Sequence, residues 1–142
     1  MKPMSELERY TVTMPHELLE AFDSRNERKG YRNRSEAIRD LVRDALIREQ
    51  WTEPNCRAAA TLTLIYDHHT RAIGDRITEL QHDFGELVVS TLHVHLDHHN
   101  CLEVLVMRGM SEEIRRLADA IGCIKGVKHA QLTLTAEGRD LH

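Results

Sequence analysis

Residues 8 to 14, "ERYTVTM", alternate strictly and stand alone. Arg9, Thr11 and Thr13 fall on one face of an extended chain, Tyr10, Val12 and Met14 on the other, which is the period of a half-buried strand. No second strand follows. Pro15 suits the first turn of a helix instead, Leu18, Leu19 and Phe22 give that helix an apolar stripe, and Gly30 stops it. Asn33 or Ser35 can cap a second helix, Glu36 stands three residues after Asn33, and Ile38, Leu41, Val42, Ala45 and Leu46 recur at helical spacing. Strand, helix, helix within 50 residues is too little to close a core, and a lone strand leaves its backbone donors unpaired. A second copy repairs both faults, because two such strands pair into an antiparallel ribbon with the apolar side chains against the helices. Arg9, Thr11 and Thr13 then face outward. Such a ribbon fits the DNA major groove, where arginine reads guanine and threonine offers a hydroxyl and a methyl. A solvated edge strand is the plainer alternative, and alternation alone does not choose between them. Arg32 and Arg34, at the start of the second helix, are placed for a phosphate contact.

The stretch "QWTEPNCRA" at 50–58 has no sustained period and contains Pro54, so it reads as a linker. The order of elements then changes: strand 58–67, helix 70–83, strand 89–97, strand 101–107, helix 111–122 and strand 127–135. That is the ferredoxin-like βαββαβ order, with two helices on one face of an antiparallel sheet. The expected class is α+β, with domains at 1–50 and 58–142 joined by residues 51–57. Charge separates the two as well. Residues 1–50 carry ten Lys/Arg and ten Asp/Glu, so the net charge of −4 lies wholly in the remainder. A protein that coats nucleic acid by bulk attraction is therefore not expected. The N-terminus has no apolar h-region and apolar runs are only a few residues long, which points to a soluble, cytoplasmic chain without membrane contact.

Seven of the ten histidines fall between positions 68 and 99, and they frame "STLHVHLDHHNCLE" at 90–103. His93 and His95 share a strand face, "HHN" serves as a turn, and Cys101 begins the returning strand opposite His95. The three can converge. Imidazole and thiolate are ligands for Zn, Ni and Cu rather than for Mg or Ca. His82, ending the preceding helix, is the leading candidate for a fourth ligand, and Glu103 is placed to orient a ligand by hydrogen bonding. His98 and His99 read as exposed turn residues, Cys56 and Cys123 as a loop thiol and a buried helix residue, and the roles of His68 and His69 stay open.

With these residues in view, the chain resembles the nickel-responsive ribbon-helix-helix repressors. The matching segments are "ERYTVTM", "KGYRNRSEAIRDLVRDAL", the "RI…QH" ending at His82, and "STLHVHLDHHNCLEVLVMRG", spread over residues 8 to 135. The resemblance implies a tetramer, a dimer of dimers with DNA-binding heads flanking regulatory domains of the ACT type. It implies one square-planar Ni(II) per chain, held by His93, His95 and Cys101 of one chain and His82 of a neighbour. It also implies that Arg9, Thr11 and Thr13 face an operator in double-stranded DNA, and that nickel enhances repression of nickel uptake. Glu36 and Asp40 lie four apart on one helix face, and similar repressors are thought to hold a hard cation there. One departure is that His82 is followed by "DFGE" rather than by further histidines, which removes the basis for an accessory site at that point.

Other readings of the same residues are a zinc or copper sensor on this scaffold, an antitoxin-like DNA binder with an amino-acid-sensing domain, and a metal hydrolase with Glu103 as its base. Copper binds such donors more tightly than nickel, so affinity order alone does not select the metal. A fourth protein ligand would close the site against hydrolysis.

Overall fold

The computed structural model describes residues 6–53, 55–70, 72–139 and 141; Pro54, part of the expected linker, lies outside them. Helix α1 (His16–Lys29) begins after Pro15, whose carbonyl accepts the amides of Leu18 and Leu19, and ends at Gly30 in the left-handed conformation at φ 82°. Helix α2 (Arg34–Gln50) is capped by Asn33, whose Oδ1 accepts the Glu36 amide at 2.9 Å. Residues 6–15, expected to contain a strand at 8–14, have no regular secondary structure in the single chain. The reason is physical: a strand is defined by ladder bonds to a neighbour, and none is within this chain's reach. Tyr10 and Val12 are accordingly 69% and 55% exposed.

The chain divides into two compact units between Leu46 and Ile47. In the second, strands β1 (Arg57–Asp67), β2 (Val88–His95), β3 (Asn100–Met110) and β4 (Val127–Thr135) form one antiparallel sheet in the order β2-β3-β1-β4. Helices α3 (Ile73–Asp83) and α4 (Ser111–Gly122) complete the βαββαβ order. The two central strands alternate cleanly. Leu62, Leu64 and Tyr66 of β1 and Leu105 and Met107 of β3 are buried together with Ile73, Ile77 and Leu80 of α3 and Ile114, Leu117, Ala118 and Ile121 of α4. Burial of aliphatic side chains of this size stabilises by about 1.5–3 kcal/mol each, which makes this layer the main support of the unit.

The segment expected as a linker is fastened rather than loose. The Cys56 carbonyl accepts the Ser111 amide at 2.8 Å, the Glu53 carbonyl accepts the Ser111 hydroxyl at 3.2 Å, and Arg115 donates to the Trp51 carbonyl. The first turns of α4 thus take up the carbonyls of Trp51, Glu53 and Cys56. The other face of the sheet remains apolar and open: Leu92, Val94 and Leu96 are 61%, 41% and 54% exposed.

Ile114 sits at the centre of the helix–sheet layer and is fully buried. Ile114→Ala should destabilise the protein by about 2–5 kcal/mol, read by chemical denaturation, because the close-packed layer cannot refill the lost volume.

Candidate metal centre

The register of three strands builds the site. Cys101 pairs with Tyr66 on one side and with His95 on the other, and Glu103 pairs with Leu64 and His93. Paired residues share a face, so His93, His95, Cys101, Glu103 and Tyr66 all project from the helix-bearing side of the sheet, towards its β2 edge. Chain alternation continues past the end of β1 to His68, two residues beyond Tyr66.

Three donors meet at the thiol. Cys101 Sγ lies 3.1 Å from His68 Nδ1 and 3.5 Å from His95 Nδ1, and one donor atom from each of the three residues falls within 4.8 Å of the others. Cys101 is fully buried, His68 half-buried and His95 exposed, so the group opens to solvent on one side. Burial, and then the carboxylates of Asp67, Glu103 and Asp97, push the Cys101 thiol above its ordinary range. Burial, reinforced by His69 and His95, pushes His68 down, so it is a neutral imidazole with a lone pair to offer. A divalent ion that stabilises a thiolate suits this combination. Two imidazoles and a sulfur fit Ni, Zn or Cu and disfavour Mg or Ca.

His93 stands beside this cluster with a different set of neighbours. Its ring centroid is 5.1 Å from that of His95, while its Nδ1 is 3.1 Å from the Tyr66 hydroxyl. Tyr66 donates its only proton to Glu103 Oε2 at 2.9 Å, and burial, then Glu103, pushes its pKa well above the ordinary range, so it stays a phenol. Its oxygen must then accept from His93. That places a proton on Nδ1 of His93, so a neutral ring offers Nε2 as the nitrogen free to bind a metal. Glu103 therefore acts on His93 through Tyr66, its own oxygen being 3.9 Å from the ring nitrogen. Already occupied in this way, Glu103 is not poised as a base for hydrolysis.

Of the expected ligands, then, His95 and Cys101 are brought together, and His93 lies alongside, oriented by Tyr66. His82 is exposed on the last turn of α3. His68 is the donor that the sequence reading left open. The signal was there: once β1 pairs with β3, alternation carries His68 to the face of Cys101. Cys56 is half-buried, and Cys123, expected inside a helix, is exposed as the cap residue after α4.

In the N-terminal unit, Arg9, Thr11, Thr13 and Arg32 are exposed. Arg34 makes a two-pronged bond to Asp23 at 2.9 and 2.8 Å. Asp40 accepts from the Tyr31 hydroxyl at 2.7 Å and from Arg43 at 2.9 Å, while the Glu36 amide is engaged by the Asn33 cap. Asp40 is thus already supplied with donors, and a cation shared with Glu36 would have to compete with them.

Tyr66→Phe should separate positioning from ligation. It leaves the Glu103 carboxylate without its buried donor, at a cost of about 1–3 kcal/mol of stability. It also frees the His93 tautomer, so affinity for Ni(II) or Zn(II) should fall roughly 10–100-fold, as read by competitive metal titration. Unchanged affinity would mean that the phenol does not orient His93.

Comparison with known proteins identifies the families of both units. The NikR C terminal nickel binding domain matches residues 59–135, and the ribbon-helix-helix protein, copG family, matches residues 8–49. A protein of Solibacter usitatus named as a nickel-responsive regulator is 50% identical over 138 residues, covering 97% of this chain and 99% of its own. One of Geobacter sulfurreducens with the same name is 50% identical over 139 residues, covering 98% of this chain and 100% of its own. Among solved structures, the uncharacterised protein TM1266 of Thermotoga maritima superposes with a TM-score of 0.50 over 56% of this chain and 98% of its own, at 19% identity, a likeness of fold alone. No helix among the described residues is long and apolar enough to cross a membrane. From its ribbon-helix-helix segment to its metal-binding domain, the chain belongs to the nickel-responsive regulators, a family of transcription factors rather than enzymes.

Proposed function

We propose that this protein is a nickel-dependent repressor of nickel uptake, acting in the cytoplasm as a dimer of dimers on a double-stranded operator. The observation that carries the reading is the Cys101 thiol with His95 and His68 against it and His93 held alongside by Tyr66 and Glu103. His93, His95 and Cys101 of one chain, with His82 of a second copy, hold one Ni(II) per chain. Bound nickel supplies a cross-link between chains through nitrogen and sulfur donors. Residues 1–50 form the DNA-binding head, 51–57 the connection and 58–142 the sensing and assembly domain.

Two features support assembly. The N-terminal unit leaves Tyr10, Val12, Leu18, Val42 and Leu46 exposed, a set of apolar groups that a partner chain would cover. The open face of β2 does the same for the second unit. In a paired head, Arg9, Thr11 and Thr13 read bases in the major groove, while Arg32 and Arg34 grip phosphates, Arg34 exchanging Asp23 for the DNA backbone. A hard cation at Glu36 and Asp40 would take the place of the Tyr31 and Arg43 donors in the DNA-bound form.

His68 favours one second reading. With it, a single chain offers three imidazoles and a thiol on one face of the sheet, a donor set that also suits zinc. A mobility-shift titration of operator DNA with metal-free, nickel-loaded and zinc-loaded protein distinguishes the two. Nickel sensing requires tight binding only with nickel, accompanied by a nickel–thiolate charge-transfer band; equal response to colourless zinc protein would support zinc sensing.

Two variants check the roles within this reading. Arg9→Ala should lose discrimination at one base position, by roughly 1–3 kcal/mol, while Arg34→Ala weakens specific and random DNA alike and lowers the salt dependence. Footprinting and salt titrations read both. His82→Ala should leave Cys101, His93 and His95 able to take nickel about tenfold or more weakly, abolish most nickel-induced DNA binding, and barely change the melting temperature of metal-free protein. Full nickel-dependent binding by that variant would place the fourth ligand elsewhere.

A further inference from the structure

A second group of donors lies beside the Cys101 cluster and shares no residue with it. One atom from each of Asp67, His69 and His99 falls within 4.8 Å of the others. The group joins the end of β1, which is Asp67, and the residue two beyond it to the loop between β2 and β3. The residues at the end of β1 are divided between the clusters: the His68 ring turns to Cys101, while its neighbours Asp67 and His69 serve the other group. His69 Nδ1 is 3.8 Å from Asp67 Oδ1, and the His69 ring centroid is 5.1 Å from that of His99 and 5.2 Å from that of His98.

The two segments are held in this relation by their backbones. The His68 amide donates to the His99 carbonyl at 3.2 Å, bridging one segment to the other. Asp97 Oδ1 accepts the amides of His99 and Asn100, each at 2.8 Å, and the Asn100 side-chain amide, followed by these backbone bonds, keeps the Asp97 carboxyl at a pKa of about 2. Gly126 allows the close approach of the first segment: at its φ of 103° a Cβ would lie 2.8 Å from Thr70 Cγ2. None of these bonds uses the imidazole nitrogens of His69 or His99. Asp67 spends Oδ1 on the His69 amide at 2.9 Å, and a carboxylate has a second oxygen to offer.

We infer that Asp67, His69 and His99 form a second divalent-cation site, distinct from the Cys101 centre, which takes a borderline ion such as Co(II), Zn(II) or Ni(II) through two imidazole nitrogens and one carboxylate oxygen. The donor set decides the class of ion. Two imidazoles disfavour Mg(II) and Ca(II), and the lack of sulfur disfavours Cu(I). His69 and His99 are exposed, so water completes the coordination and the ion exchanges freely. The site needs only one chain, and its existence does not depend on which metal the Cys101 centre holds.

The test is equilibrium dialysis of the full-length Cys101→Ala protein against Co(II), followed by absorption spectroscopy. Removing the thiol weakens the neighbouring centre and eliminates sulfur-to-cobalt charge transfer from the spectrum. The expected result is bound cobalt with weak d–d bands, whose affinity drops about tenfold or more when His69→Ala or His99→Ala is added. Asp67→Asn should act in the same direction, and its amide oxygen can still accept the His69 amide, so circular dichroism and melting temperature should match the parent. A second arm loads the unaltered protein with nickel until the charge-transfer band saturates, then adds cobalt. Cobalt should bind without reducing that band. Cobalt uptake unaffected by His69→Ala and His99→Ala, or uptake only at the expense of the nickel band, would overturn the inference.

Discussion

The register of β3 between its two neighbours governs the metal-binding edge. Cys101 faces Tyr66 across one ladder and His95 across the other, and Glu103 faces His93 two residues on. Each side chain owes its direction to that alignment, since a slip of one residue would send Cys101 and Glu103 to the opposite face and bury Leu102 and Val104 in their place. The helix–sheet layer prevents the slip. Leu105 and Met107 on β3 and Leu62 and Leu64 on β1 are fully buried only in this register. The same hydrophobic contacts that fold the second unit therefore aim its donors.

A protonation chain follows from the same alignment. Tyr66 stands between Glu103 and His93 and has a single proton; giving it to the carboxylate obliges His93 to carry hydrogen on Nδ1 and present Nε2. The buried Glu103 thus acts on His93 through a phenol rather than directly, which spares the imidazole direct contact with a negative charge. Beyond this, the single chain leaves several groups without neighbours. Residues 8–14 form no strand, the apolar groups Tyr10, Val12 and Leu18 lie in water, and His82 stands exposed at the end of α3. Each of these deficits is of the kind that a second copy removes.

Most of the fold was legible because its signals are local. Alternation gave the sheet strands to within a few residues, helical spacing gave α1 to α4, and Asn33 and Gly30 marked helix ends that the structure shows. The strand expected at 8–14 is not formed in the single chain, because alternation marks a pattern while a strand also needs a ladder partner, which sequence pattern does not supply. His93, His95 and Cys101 could be grouped from strand spacing and a short turn. His68 and Tyr66 were harder, because their proximity depends on pairing β1 with β3 across some 35 residues, and sequence spacing carries no such distance. The Asp67, His69 and His99 group was missed for the same reason: two segments, each polar and unremarkable alone, meet only in the folded sheet.

The central claim is that His82 of one chain completes the Cys101 centre of another, and mixing two inactive variants tests it most directly. His82→Ala and Cys101→Ala proteins are each unable to form the complete centre; they are unfolded together, refolded and titrated with nickel while operator binding is recorded. If the centre is shared between chains, the mixture regains tight nickel binding and the nickel-dependent DNA binding that both variants lack alone, because His82 from one reaches Cys101 of the other. If all the ligands come from a single chain, the mixture behaves as the sum of its inactive parts.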